Sequence, residues 1–350
     1  MSQADYSPLE RLLHRLALGP RFIREATFDL ETARLPKGFT VGPQPVFIAG
    51  LARSGSTILL NSLYQAGVFR SLTYRDMPFV LMPGRWRQMS GSSRRHMAAS
   101  ERAHGDRLLV DYDSPEAFEE VFWLTFCGDD YVQPQRLTPH QAGAATRDRF
   151  RRYVAAVLAS AEHDGQVRYL SKNNNNLLRL PTIAAAFSDA HILIPFREPL
   201  QHALSLQQQH ARFCQSHAQD RFAMRYMSWL GHFEFGLGHK HYEYQGRDNP
   251  FDPADANYWL QCWLDAYSLA QATAPAGSVF VGYEQLCEAG PGALDALFER
   301  VGAPRNSEVL YEQAADKPDP GVSGDLLARC REVYNALRVT HLQPVEARGG

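Results

Sequence analysis

The sequence predicts an α/β fold in which a parallel sheet is flanked by helices on both faces. Three observations predict it. Four short apolar runs, Val46–Gly50, Arg168–Ser171, His191–Phe196 and Ser278–Tyr283, have the length and composition of buried strands. Helical patterns follow or separate them, over Ser56–Gln65, Leu177–Phe187, Pro199–Arg212, Asn257–Thr273, Gly292–Val301 and Asp325–Leu337. Strands alternating with helices need crossovers that cover both faces of a sheet. Finally, no repeat, low-complexity tract or linker divides the 350 residues, so 1–350 reads as a single domain.

Each element has its own justification. In 257–273, Trp259, Cys262, Trp263, Ala266, Leu269 and Ala270 fall on one helix face. Pro199 suits a first helical position. Residues 68–165 are expected to be a mostly helical insertion, with Ser114–Pro115 starting one of its helices. Residues 231–256, rich in Gly, His and aromatics, read as a second insertion. Both insertions would lie over the carboxyl ends of the strands, where ligands of such sheets bind. Near the N-terminus, Leu9, Leu12, Leu13, Leu16 and Leu18 are expected to form the face of a helix packed on the domain.

Composition narrows the function. A formal charge of −2 gives no reason to expect a nucleic acid partner, and any bound anion must be held by a local pocket. The five cysteines include no CxxC pair, so neither a zinc site nor a disulfide framework is expected. No apolar run reaches the roughly 18 residues of a transmembrane helix, and the first residues do not resemble a secretory signal. The cytoplasm is the expected location. A homodimer is compatible with the sequence.

The chemistry-bearing residues follow the four strands. After the first comes Gly50-Leu-Ala-Arg53-Ser54-Gly55-Ser56-Thr57 and then an apolar helix with Leu59, Leu60 and Leu63. Strand, glycine-bounded turn and helix start make an anion cradle, because the first helical N–H groups lack partners and the helix dipole favours negative charge. The spacing is that of a P-loop, GxxxxGK[ST], but Ser56 occupies the lysine slot and a cation stands instead at Arg53. The missing lysine disfavours an ATP- or GTP-dependent phosphotransferase. After the third strand, Arg197 and Ser205 can converge on one phosphate, the arginine through a charge-assisted fork.

PVFIAGLARSGSTILL is similar to the 5′-phosphosulfate loop of sulfotransferases that use 3′-phosphoadenosine-5′-phosphosulfate (PAPS), in an arginine form that looks like the bacterial and tyrosylprotein branches. The resemblance implies that Arg53, Ser54, Gly55, Ser56 and Thr57 bind the 5′-phosphosulfate. Arg197-Glu-Pro, with Ser205 eight residues on, resembles the family's 3′-phosphate motif, which implies that Arg197 and Ser205 bind that group. Tyr283-Glu-Gln-Leu is similar to the segment whose tyrosine lies near the adenine and phosphate, although Gly282 stands where the family often has arginine. Lys172, in Lys172-Asn-Asn174, resembles the lysine that approaches the sulfuryl group, with Asn174 replacing a proline. The resemblance covers roughly 45–66, 168–210 and 255–305.

The implied activity is sulfuryl transfer from PAPS to a hydroxyl or amine of a small-molecule or carbohydrate acceptor, with no metal, 231–256 acting as an acceptor lid and adenosine 3′,5′-bisphosphate (PAP) as product. A hydroxyl acceptor needs a general base. His104 is the first choice and Asp76 another, while Glu120 belongs to an acidic segment (Asp113–Glu120) in which helix-start roles compete. His232, His239 and His241 lack the spacing of a zinc site and read as part of the lid. A catalytically silent nucleotide-binding protein of the same fold is the remaining alternative.

Overall fold

Val46–Ile48, the first apolar run, forms strand β1 at the centre of a five-stranded sheet. Phe69–Arg70 (β2), Arg168–Lys172 (β3), His191–Phe196 (β4) and Val279–Gly282 (β5) complete it in the order β2–β3–β1–β4–β5, with every pairing parallel. The computed structural model describes residues 6–36, 41–90, 100–101, 109–110, 114–161, 167–289, 291–306, 311–312, 315–343 and 345–346. All four predicted strands are present. The addition is β2, whose two residues are too short to carry a sequence pattern.

In chain order the helices are α1 (Pro8–Leu18), α2 (Arg21–Thr32), α3 (Ser56–Tyr64), α4 (Pro83–Ser90), α5 (Glu120–Tyr131), α6 (Ala144–Ala159) and α7 (Leu180–Ala186). They continue as α8 (Pro199–Gln219), α9 (Arg221–Leu230), α10 (Ala256–Thr273), α11 (Tyr283–Ala289), α12 (Pro291–Val301) and α13 (Gly324–Val339).

Strand alternation sorts the core into two layers. Val46, Ile48, Leu170, Leu193, Val279 and Val281 pack with Leu59, Leu60 and Leu63 of α3 and Leu294, Leu297 and Phe298 of α12. Phe47, Tyr169, Ile192, Ile194, Phe196 and Phe280 face the larger layer built from α5, α6, α7, α8, α10 and α13. Leu59, Leu60 and Leu63 are 0% exposed, and burial of each contributes about 1.5–3 kcal/mol.

Three local expectations are corrected. The helix expected from Ser114–Pro115 starts only at Glu120, because Pro115 bridges Thr73 and the Glu116 N–H donates to the Leu72 carbonyl, which keeps the chain extended. The helix expected over Leu177–Phe187 divides into a 3-10 turn, Asn174–Leu178, and α7; between them Arg179 takes φ −143°. In α1, the face that docks carries His14, Ala17 and Leu18, with Arg11 over the Phe222 ring, whereas Leu9, Leu12 and Leu16 are exposed.

The two segments expected to be insertions meet, although the first contributes β2 to the central sheet. Arg136–Leu137 pairs in parallel with His241–Tyr242, tying residues 68–165 to residues 231–256. Several aromatics of the second segment are core residues, among them Phe233, Phe235 and Tyr242. Among the described residues, no helix is long and apolar enough to cross a membrane.

Candidate active site

The loop after β1 is held in an unusual backbone conformation. Arg53 takes φ +69° and Gly55 φ +87°, both left-handed. A side chain at Gly55 would meet the Tyr283 ring, with its Cβ 2.8 Å from Cδ2, so the position requires glycine on both counts. Gly50 has the same need for a different reason, since a Cβ there would lie 2.7 Å from the Pro195 carbonyl oxygen of the neighbouring strand. These two close approaches draw the loop against β4 and the β5–α11 junction. No side chain caps the N-terminus of α3, so its first N–H groups retain their capacity to bind an anion.

From the other side, α8 reaches the loop. Arg53 Nε lies 3.4 Å from Ser205 Oγ, and His202 Nε2 lies 2.7 Å from the Ala52 carbonyl oxygen. His202 is fully buried, and burial pushes its pKa down to about 3 despite the Ala52 hydrogen bond, with Arg197 and Arg53 lowering it further. The ring is therefore neutral, and its Nε2–H donates to Ala52. This tether fixes the peptide that precedes left-handed Arg53.

Arg197, at the tip of β4, places its guanidinium 4.9 Å above the Tyr283 ring and its Nε 3.8 Å from Glu284. Trp263 Nε1 donates to its carbonyl. Lys317 joins the same corner. Its backbone exchanges two hydrogen bonds with the Gln201 side chain, and its ammonium donates to Gln208 and the Leu204 carbonyl. Burial, then Arg197, Arg53 and Arg212, lower the Lys317 pKa. Tyr311 completes the corner, with its ring 5.6 Å from that of Tyr283.

On the opposite side of β1, Lys172 ends β3 in register with Ile48 and is 7% exposed. Its side chain leaves the sheet on the same face as Leu170, the face that α3 covers. The four asparagines after it each take a different partner. Asn173 donates to Glu120, Asn174 to Glu234, Asn175 to the Gly231 carbonyl and Asn176 to Glu119. Tyr242 adds a bond to Asn175. The tip of β3 is thereby anchored to α5 and its N-terminal flank and to the segment 231–256.

Of the sequence-derived base candidates, His104 lies outside the described residues. Asp76 is 0% exposed and held by Arg70, Arg87 and the Thr73 N–H. Burial alone would raise its pKa, but Arg70 and then Arg87 outweigh burial and hold the carboxylate below its usual range. With its folded pKa depressed, Asp76 stabilises the fold above the ordinary carboxylate range, and that contribution is lost as pH falls through the folded value. Glu120, 1% exposed, accepts from Arg179 at 2.6 and 3.0 Å, from Asn173 and from Tyr131.

The structure thus brings Arg53, the Ser54–Thr57 turn, Arg197, Ser205 and Tyr283 into one corner, with Lys172 across β1 from Arg197. Sequence reasoning missed His202, Tyr311 and Lys317. His202 lies within the Arg197–Ser205 motif but shows its role only through contact with Ala52, and the other two come from a distant stretch with no motif of their own. Two buried atoms in the corner, Arg197 Nε, 3.8 Å from Glu284, and Tyr311 Oη, make no hydrogen bond within the protein. Unpaired buried polar groups are costly, and an anionic ligand would satisfy them. Among the described residues, no group of three or more His, Cys, Asp or Glu is placed to hold a metal ion. His239 is bonded to the Phe233 carbonyl and to the Tyr258 hydroxyl, and His232 to the Ala117 carbonyl.

Residues 45–307 match the family described as "Sulfotransferase family". Similar solved structures include a sulfotransferase from Mycobacterium tuberculosis, at 12% identity and TM-score 0.46, covering 95% of this chain and 82% of that one. A sulfotransferase from Mycobacterium avium gives 12% identity and TM-score 0.43, over 96% and 79%. One from Alicyclobacillus acidocaldarius gives 14% and 0.39, over 85% and 96%. No curated protein matches the chain.

Proposed function

The chain belongs to the sulfotransferase family, and on that premise we propose that it transfers the sulfuryl group of PAPS to a hydroxyl or amine of a small-molecule or carbohydrate acceptor. The observation that carries the proposal is the 3.4 Å approach of Arg53 to Ser205. It joins the loop after β1 to the helix after β4, so that two anion-binding motifs share one corner, as a nucleotide phosphorylated at both 3′ and 5′ positions requires. The buried Arg197 Nε, which makes no hydrogen bond within the protein, supports the same reading.

In this reading the Ser54–Thr57 turn and Arg53 hold the 5′-phosphosulfate, in an arginine-type loop similar to that of the bacterial and tyrosylprotein branches. Arg197 and Ser205 hold the 3′-phosphate with Lys317 beside them, and Tyr283 borders the nucleotide. The acceptor oxygen attacks sulfur in line with the bond to the 5′-phosphate oxygen. That bond breaks, the acceptor proton passes to a base, and the products are the sulfated acceptor and PAP. Negative charge grows on the departing phosphate oxygen, where Lys172, Arg53 and the N–H groups of α3 would stabilise it. Of the three base candidates, Asp76 and Glu120 are buried and both oxygens of each already accept hydrogen bonds, from guanidinium groups among other donors, so neither is placed to meet the acceptor's proton. This supports His104. Residues 231–256, anchored to the tip of β3 through Asn174 and Asn175, serve as the acceptor lid.

Calorimetric titration with PAP and with ADP tests the reading, because only PAP carries a 3′-phosphate. PAP is expected to bind more tightly. Arg197→Ala should weaken PAP by about 1.5–3 kcal/mol, the range for a hydrogen bond to a charged group, and should leave ADP nearly unaffected. Equal losses for both nucleotides, or none, would remove the 3′-phosphate role.

A further inference from the structure

His104 is favoured only among the three sequence-derived bases, and the structure supplies a fourth candidate. Glu234 belongs to the segment read as the acceptor lid. Its Oε1 accepts from Asn174 Nδ2 at 2.7 Å, and among the described residues its Oε2 has no hydrogen-bond or ion-pair partner. Asp76 and Glu120 differ, since both oxygens of each are engaged. Glu234 is half-buried, with a solvent access that those two lack. Phe233 and Phe235 on either side are buried, and the Phe233 carbonyl accepts from the Lys240 N–H, so the carboxylate stands on a fixed stretch of chain.

Its place follows from strand geometry, because side chains alternate along a strand. Tyr169 and Asn173 meet Glu119 and Glu120 on the α5 side of the sheet. Lys172 therefore points to the other side, the one that α3 covers. Asn173 is still extended, at φ −149° and ψ 117°. Asn174 then also leaves on the α3 side, with its Cα at most about 7 Å from that of Lys172. The Asn173 N–H donates to the Ile48 carbonyl, which seats this tip beside the end of β1, two residues before Gly50. Lys172, Asn174 and Glu234 thus follow one another on the side where α3 begins. In the sulfuryl-transfer reading, that is where the 5′-phosphosulfate lies. Asn174 Oδ1 is buried and accepts no hydrogen bond, and a ligand filling this spot would satisfy it.

We propose that Glu234 is the general base, taking the acceptor's proton at Oε2 while Asn174 holds Oε1. The inference rests on the sulfuryl-transfer reading above. The acceptor oxygen or nitrogen forms its bond to sulfur as the bond from sulfur to the 5′-phosphate oxygen breaks. The electron pair of the broken bond leaves with PAP. The proton goes to Glu234, and the carboxyl returns it to solvent after the product departs. A base must come within hydrogen-bond reach of the proton it removes, so a base carried by the lid serves only an acceptor seated beneath it. Asn174 is then a positioning residue, because its amide fixes which oxygen of Glu234 stays available.

The test is PAP release from PAPS with phenol and with methyl glucoside as acceptors. Glu234→Gln keeps an oxygen for Asn174 and removes the capacity to take a proton. It should lower kcat by about 100- to 10,000-fold, the usual range for a general base, with PAP affinity and melting temperature native. In Glu234→Ala, added formate should restore turnover saturably, because a free carboxylate can enter the vacated space and accept the proton. A lid anchor with no proton role would not respond to formate. Native kcat in Glu234→Gln, loss of PAP affinity in that variant, or a deficit in Glu234→Ala that formate leaves unmoved overturns the inference. So does a native protein that binds PAP but releases none from PAPS with either acceptor. Failure of the native protein to bind PAP at all would instead sink the donor reading, and this inference with it.

Discussion

Lys172→Ala is expected to lower kcat by about 100- to 1,000-fold, a loss of roughly 2.7–4 kcal/mol in transition-state stabilisation, with a much smaller change in PAP affinity. The asymmetry arises from where charge appears. In bound PAPS the bridging oxygen shares its electrons with sulfur, and it gains a formal charge only as that bond breaks. A cation held beside it acts mainly on the transition state. Lys172 suits this role because β-pairing with Ile48 sets its place and its neighbouring asparagines anchor the strand tip. Single-turnover kinetics with saturating PAPS, beside PAP titration, would measure both effects. Loss of PAP affinity with turnover preserved would make Lys172 a binding residue only.

Glu120→Ala is expected to destabilise the fold by about 3–5 kcal/mol, because it leaves Arg179 as an uncompensated buried charge. Arg179 is 0% exposed, lies 4.8 Å from the rings of both Trp123 and Tyr131, and has its charge met by Glu120. Burial by itself would lower the pKa of this arginine, but Glu120 outweighs burial and raises it. A drop in melting temperature of roughly 5–10 °C should accompany the loss. The measurement also separates two roles for Glu120. A general base would leave melting near native when replaced and abolish turnover, whereas a structural anion would lower melting. Native melting in Glu120→Ala would return Glu120 to the list of bases.

The four principal strands and the positions of Arg53, Lys172, Arg197 and Tyr283 are legible in the chain from local signals. An apolar run fixes a strand, and a parallel sheet carries the residues after each strand to one edge. The parts that were not legible depend on distant contacts. Glu120 reads as a base candidate in an acidic segment, and only its meeting with Arg179 turns it into half of a buried pair. Lys317 and Tyr311 carry no motif, and they reach the corner because Gln201 binds the backbone at 317 and Tyr283 donates to the Glu312 carbonyl. β2 escaped because two residues have no period, and the late start of α5 because Thr73, far upstream, pairs with Pro115.

The cationic corner of Arg53, Arg197 and Lys317 sits in a chain of formal charge −2. At physiological ionic strength electrostatic fields fade over about 8 Å. A polyanion approaching from bulk solvent is therefore not steered from afar and feels the three cations only when it is nearly seated. Encounter is then governed by diffusion and by the width of the entrance, while the cations act on the dwell time of the bound nucleotide. Replacing any one of the three cations should therefore shift departure more than arrival.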